Sequence, residues 1–421
     1  MSKTQDGFAA FIGLDWADRK HDVCLQAPEL ERPEFLVLEH RPDAIDAWAR
    51  ALEKRFAGRP IAVGLELSRG PIVSALLEYD FFVLFPINPS MLAQYRRAFT
   101  PSHAKDDPTD AQIALELLLR HPEKLKRLRP ESAAMRSLQR LVEARRTFVQ
   151  DRVRITNRPT HALKAYFPQV LAWFRDKETA VFADFLERWP TLVAVQRARE
   201  ETVTKFFHAH NVRSKATVER RLEAIRSERC LTSDASVIET STLLVQGLLP
   251  QLRAVSAAIE RFDREIARLC DELPDHHLFR ALPGAGPVFS SRLLAAFGEQ
   301  RERFPDAAAV QRCVGVAPVT ERSGNKSWVH WRFRASKFLR QTFVEWTGET
   351  IPKSFWARAF YEMKRQAGAS HAAAIRALAF KWIRILYRCW VDRTPYDEAR
   401  YLTALKNRHS PLLNFAVTDA P

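Results

Sequence analysis

Cysteine is scarce in this chain. Its 421 residues include five, Cys24, Cys230, Cys270, Cys313 and Cys389, an odd number with no two closer than forty positions. That spacing excludes a zinc ribbon and argues against a disulfide framework. Long apolar runs are missing as well. No stretch approaches the roughly 20 uninterrupted apolar residues of a bilayer span, and residues 1–11 have no apolar core. Neither a membrane partner nor a signal peptide is expected, and the expected location is the cytoplasm. Walker A and other nucleotide-binding motifs are absent, so no nucleotide cofactor is expected. With 46% hydrophobic and 27% charged residues, the chain is neither a disordered tail nor a collagen-like repeat. Its length suits two or three domains.

Positive charge is abundant and unevenly spread. Lys and Arg number 65 against 50 Asp and Glu, a formal charge of +15. Residues 1–120 hold 14 basic against 18 acidic side chains, and the remainder holds 51 against 32. A basic body joined to a mildly acidic domain suits a polyanion held by one part and processed by the other, because Lys and Arg replace the counterions condensed on phosphates. Solubility charge on long helices explains the same composition.

The pattern changes along the chain. Phe8–Trp16, Val23–Leu25 and Glu34–Leu38 read as three strands, followed by a helix at Asp43–Phe56, a strand at Ile61–Leu67, a helix at Ile72–Glu78 and a strand at Phe81–Ile87 stopped by Asn88-Pro89. This predicts an α/β domain over residues 1–125. From Pro130 the spacing turns helical. Leu138, Leu141, Val142, Phe148, Val149, Val153 and Ile155 form a stripe that Pro159 is expected to kink or end, and a second long helix runs over 236–273 with a break at Pro250. Residues 126–275 therefore read as a helical assembly region, either an arm that pairs with itself or another chain, or a bundle within one subunit. An aromatic and basic helical region follows over 276–395, and then a polar tail over 396–421.

Four acids stand out. Asp15 ends the first strand two residues after Gly13, and Glu66 stands two residues after Gly64. In each case strand alternation sets the acid on the same face as the glycine, leaving room beside a carboxylate that would otherwise be costly in an apolar strand. Asp107 and Asp110, three residues apart at a helix start, share a face. Around Pro108 they also make a good capping signature with no metal involved. As a set, two strand acids and two helix acids suit convergence on hard, oxygen-seeking Mg²⁺ or Mn²⁺, two such ions being able to activate the attacking oxygen and stabilise the leaving one at a phosphodiester.

Two further features lie downstream. Leu282-Pro283-Gly284-Ala285-Gly286-Pro287 sits between helical segments, where Gly284 and Gly286 can present backbone N–H groups to a phosphate, although an ordinary Pro-Gly turn accounts for it equally. Ser323 precedes Gly324 in a polar, basic loop, and the local sequence alone reads it first as a turn residue. Beyond it Trp328, His330, Trp331, Arg332, Arg334, Lys337 and Arg340 interleave aromatic and basic side chains, a composition suited to stacking bases and clamping phosphates. A nucleophilic Ser323 needs a group to take its proton and cations to hold the phosphate, and Arg322, Lys326, His330 and Arg332 are the nearest candidates.

In this order, Gly-Leu-Asp15, Glu66, Lys105-x-Asp107-x-x-Asp110-Ala, Leu-Pro-Gly-Ala-Gly, Gly-Val-Ala-Pro and Arg-Ser323-Gly, the chain resembles the DEDD-type insertion-sequence transposases, mobile-element recombinases guided by a bridge RNA. The resemblance spans about residues 8–390. It implies a RuvC-like domain of the RNase H fold, a coiled-coil connection and a mainly helical transposase domain. Asp15, Glu66, Asp107 and Asp110 would be the metal-binding acids, with two Mg²⁺ or Mn²⁺ ions as the expected cofactors, and Ser323 the nucleophile that becomes linked to DNA. The implied partners are donor and target DNA, a bridge RNA that pairs with both, and further copies of the chain in a dimer or tetramer whose subunits share the active site. Lys105, Asn157, Arg158, Lys326, Arg332, Arg334, Lys337 and Arg340 are the expected nucleic-acid contacts beside the two glycines. Two rivals stay open: a structure-selective nuclease that uses the acids for water attack, and a non-catalytic nucleic-acid scaffold in which the acids only cap helices.

Overall fold

The computed structural model describes residues 7–99, 107–330, 332 and 335–413. The chain divides into two compact units, Met1–Pro130 and Glu131–Pro421.

The first unit is built on five strands, β1 (Ala10–Trp16), β2 (Lys20–Gln26), β3 (Glu34–Glu39), β4 (Ile61–Leu65) and β5 (Phe82–Pro86), in the order β3-β2-β1-β4-β5. β1 pairs antiparallel with β2 and parallel with β4, so the sheet is mixed. Helix α1 (Pro42–Phe56) starts with Pro in its first turn, where the missing N–H costs nothing, and buries Ile45, Ala49, Leu52 and Phe56 at helical spacing on one sheet face. α2 (Pro71–Leu76) joins the same core. α3 (Pro89–Phe99) and α4 (Asp107–Arg120) follow, and α4 lies on the opposite face. Its close seat depends on glycine. A Cβ on Gly13 would stand 2.0 Å from the Ala111 carbonyl oxygen and 2.5 Å from the Leu115 nitrogen, and one on Gly64 3.1 Å from the Ala114 oxygen. The Asn88-Pro89 pair stops β5 as expected, but Pro89 also opens α3, a helix not anticipated from the pattern.

The second unit is mostly helical. α5 (Ala133–Tyr166) is followed by five short helices, α6 (Gln169–Trp173), α7 (Ala180–Arg188), α8 (Leu192–Gln196), α9 (Glu200–Ala209) and α10 (Lys215–Ser227), and by the 38-residue α11 (Ala235–Glu272). α5 and α11 run antiparallel, with Phe148 against Phe262 and Arg145 paired with Asp263; α5 is about 51 Å long and α11 about 57 Å. At one end Leu163 of α5 and Val245 and Leu249 of α11 join an aromatic core with α6–α10; at the other Leu138 and Val142 meet Ile266 and Leu269. The two long helices thus pair with each other inside one chain. Pro159 and Pro250 do not break them. A helix-interior proline costs about 3 kcal/mol, and packing along the pair outweighs it. By length and composition alone α11 could cross a bilayer, yet one face is occupied by α5, and Leu243 on it is 73% exposed.

The C-terminal core gathers α12 (His276–Arg280), α13 (Gly286–Phe297), α14 (Ala307–Val314), α15 (Lys337–Thr350), α16 (Phe355–Gln366), α17 (His371–Asp392) and α18 (Glu398–Asn407) around fully buried Trp346, Trp356, Trp382 and Trp390. Between α14 and α15 stands an antiparallel hairpin, β6 (Val319–Ser323) and β7 (Lys326–His330).

Candidate active site

Strand register builds the acidic part. Leu14 of β1 lies beside Leu65 of β4 in a parallel pair, so the next residues, Asp15 and Glu66, stand at one level on neighbouring strand ends. Both are half-buried. On the other side Asp15 faces Asp22 of β2 across the antiparallel pair, and Asp22 is 7% exposed. One step back along the strands, Gly13 and Gly64 carry α4, whose first turn holds Asp110, 3% exposed. Asp110 forms an ion pair with Arg96 of α3. Asp110 Oδ1 is the oxygen that meets the Arg96 guanidinium. Asp107 opens α4, and its side chain lies outside the described residues. Among the described residues no three His, Cys, Asp or Glu side chains group tightly enough to hold an ion. The structure thus brings Asp15 and Glu66 side by side and sets Asp110 on the helix above their sheet face, engaged by a guanidinium.

Asp22 and Arg96 escaped the sequence reading. Asp22 belongs to a strand whose polar start, Lys20-His21-Asp22, hid it, and only the β1–β2 register shows its place. Adjacent carboxylates on one face repel, which a cation relieves. The donors here are hard carboxylate oxygens, the donor type a divalent ion takes, with Asp110 Oδ1 held by Arg96. His21, on the opposite face, is fully buried; the Ala17 N–H donates to its Nδ1 at 3.4 Å, leaving Nε2 to donate to His40 Nδ1 at 3.0 Å. Burial, helped by the neighbouring His40, pushes the His21 imidazole down to about 4, so it is neutral in the folded protein near pH 7.

In the second unit, Ser323 is the last residue of β6 and pairs across a two-residue turn with Lys326. Gly324 takes φ +55°, the conformation that the first turn position of such hairpins requires. A Gly-Asn pair between alternating residues is a hairpin signal, and the loop reading passed over it. Directly opposite residues share a face, so Ser323, Lys326, Glu321, Trp328 and His330 lie on one side and Arg322 on the other. His330 pairs with Val319, four residues or about 13 Å along the strand from Ser323. It sits 3.3 Å from Glu321 instead. Of the four candidates near the serine, Lys326 is therefore the one placed beside it. The hairpin is exposed, with Trp328 46% accessible.

The other expected contacts fall in different settings. Asn157 and Arg158 are exposed on α5, and Lys337 is exposed at the start of α15. Arg332 Nε donates to the Ala317 carbonyl at 3.4 Å, and Arg340 donates to the Arg332 carbonyl at 2.6 Å, tying the end of the hairpin segment to α15. Gly284 takes φ +71° and packs on α15, where a Cβ would stand 2.5 Å from the Glu349 oxygen; around Gly286 there is open space. Lys105, Trp331 and Arg334 lie outside the described residues.

A mixed sheet ending in carboxylates, joined in one chain to a basic helical body, defines a class of proteins that act on phosphodiesters. Two family models sharpen that class: residues 12–168 match one described as a transposase of the DEDD, IS110 type, and residues 276–362 match "Transposase IS116/IS110/IS902 family". The chain is 28% identical over 412 residues, 95% of its own length and 98% of the relative's, to the "Mini-circle putative transposase for IS117" of Streptomyces coelicolor. It is 29% identical to "Putative transposase y4uE" of Sinorhizobium fredii, covering 48% of this chain and 57% of that one. With the "Insertion element IS900 uncharacterized 42 kDa protein" of Mycobacterium paratuberculosis it shares 25% identity, covering 70% and 73%. The chain carries IS110-family transposase domains and is an enzyme of that kind, one that cuts and joins DNA.

Proposed function

We propose that the protein moves an insertion sequence by cutting and rejoining DNA through a phosphoserine at Ser323, with Asp15, Glu66, Asp107 and Asp110 holding two Mg²⁺ or Mn²⁺ ions. The observation that carries this reading is the hairpin tip, where an exposed hydroxyl faces an ammonium group on a structure with little buried surface of its own. Ser323 Oγ bonds to phosphorus as the bond from phosphorus to one sugar oxygen breaks. The serine gives up its proton, and the departing sugar oxygen takes one up. A sugar hydroxyl of another strand then attacks the phosphoserine and restores the serine hydroxyl, so the number of phosphodiesters is unchanged and no ATP is needed. Lys326 offsets charge building on the phosphate. Bound divalent ions supply neutralisation of the phosphate and activation of oxygen. The strand order β3-β2-β1-β4-β5 supports the RuvC-like reading of the first unit.

Donor and target DNA are the substrates, and a bridge RNA pairs with both, leaving the protein to grip backbone while base pairing supplies sequence. Copies of the chain assemble as a dimer or tetramer in which the acids and the serine act on one phosphate. The exposed Leu243 and Leu244 of α11 and Val153 of α5 support such assembly through the long helices. The test is Ser323→Ala: the protein-DNA adduct disappears from denaturing gels and strand cutting stops, whereas a nuclease using water would keep cutting. Asp15→Ala is expected to abolish the response to added Mg²⁺ after EDTA treatment.

A further inference from the structure

Three adjacent strands of the first unit carry carboxylates in a row. Asp22 of β2 stands directly across from Asp15 of β1, and Asp15 stands level with Glu66 at the end of β4. Residues opposite one another share a sheet face. Cys24, two residues along β2 on the face of Asp22, packs on Ala111 and Leu115 of α4, so Asp22 lies on the side that α4 covers. Beyond Asp22 the row turns apolar, its partner on β3 being Val37, which is 58% exposed.

An aspartate is costly at this place. Asp22 is 7% exposed, and among the described residues no hydrogen bond or ion pair reaches its carboxylate. His21 beside it turns to the other face, toward His40. Lys20, on the same strand face, is exposed and stands in register with Glu39. A buried carboxylate with a second one opposite is unfavourable until a cation within reach of both compensates it.

The helix acids leave work for such a donor. Asp110 is already met by the Arg96 guanidinium. Neighbouring strands lie about 4.8 Å apart, close to the roughly 4 Å between paired ions at phosphodiester centres. Three acids on three strands therefore enclose two gaps, Glu66 to Asp15 and Asp15 to Asp22, with Asp15 common to both. This spread into two pairs agrees with the lack of any tight group of three ligands among the described residues.

We propose that Asp22 is a further metal-binding acid, holding one divalent ion jointly with Asp15 while Asp15 and Glu66 hold the other. The proposal rests on the reading of Asp15 and Glu66 as metal-binding acids and adds a donor to them. It does not depend on the chemistry of Ser323.

The experiment titrates the EDTA-stripped, full-length protein with MnCl₂ alone, reads free Mn²⁺ by electron paramagnetic resonance, and follows melting with and without the ion. The parent is expected to take up about two ions. Asp22→Asn, nearly isosteric and lacking only the charge, should keep one at the parent's affinity and bind the other more than about tenfold more weakly, beyond what loss of an outer-shell partner costs. Without manganese Asp22→Asn should melt no lower than the parent, because a repelled buried charge has gone; with manganese its melting point should rise less. Asp15→Asn should lose both ions. An Asp22→Asn protein that binds both ions within twofold of the parent overturns the proposal. So does one that melts lower by the same amount with and without manganese, the mark of a merely structural residue. Parent and Asp15→Asn proteins that bind manganese alike, or not at all, would instead sink the metal reading on which this proposal rests.

Discussion

The acid-bearing strand ends and the serine hairpin are built by opposite means. Asp15 and Glu66 extend from strands whose neighbours Leu14 and Leu65 are buried on a two-sided sheet, with α4 pressed onto Gly13 and Gly64. Ser323 ends a hairpin of two exposed strands around a Gly324 that touches nothing within 4 Å of where a Cβ would be. Carboxylates that must hold a fixed geometry against mutual repulsion need a scaffold that cannot relax. A nucleophile that must reach a phosphate on a large substrate gains from standing clear of its own core, with water exclusion left to whatever covers it. The fold separates these demands between two units.

The comparison breaks most easily at its glycines. Gly13→Ala drives a Cβ into the backbone of α4, and the first unit is expected to lose more than about 3 kcal/mol in urea unfolding, together with the metal response. An unchanged midpoint would mean that α4 is not seated as described. A pH series sharpens the contrast next, because His21 belongs to the rigid unit only. Its folded pKa, about 4, lies below the unfolded value of about 6.5, so the unfolded chain binds the extra proton between them. Stability from this group is complete above pH 6.5 and falls as pH drops toward 4, by up to about 3 kcal/mol. His21→Gln should flatten that slope in the first unfolding transition; a slope that persists unchanged would assign it elsewhere. The smallest effect is expected at the hairpin, where Gly324→Ala meets no steric contact and costs only backbone strain at positive φ, about 1 kcal/mol.

Much of the first unit was legible because each signal was local. Gly-x-acid at a strand end announces both a bare sheet face and its carboxylate, and the Pro42 helix shows its spacing directly. Features that depend on distant partners were hidden. Lys20-His21-Asp22 reads as polar, and the burial of His21 and Asp22 follows from His40 on one face and from the β1 register on the other. Arg96 has meaning only once α3 brings it to Asp110. Pro159 and Pro250 signal breaks by local rules, yet the long α5–α11 pairing overrides them. The hairpin was present in the sequence as Gly324-Asn325 between alternating residues, but its polar strands lack the apolar alternation that marks a half-buried sheet.

In the proposed reaction a hydroxyl on the exposed hairpin becomes bonded to DNA. Trapping the protein on its substrate, digesting both partners and sequencing the nucleotide-bearing peptide by mass spectrometry reads this directly. The peptide containing Ser323 should carry the nucleotide remnant, with fragment ions placing it on the serine oxygen. A remnant on any other residue, or efficient cutting with no remnant anywhere, would contradict the account.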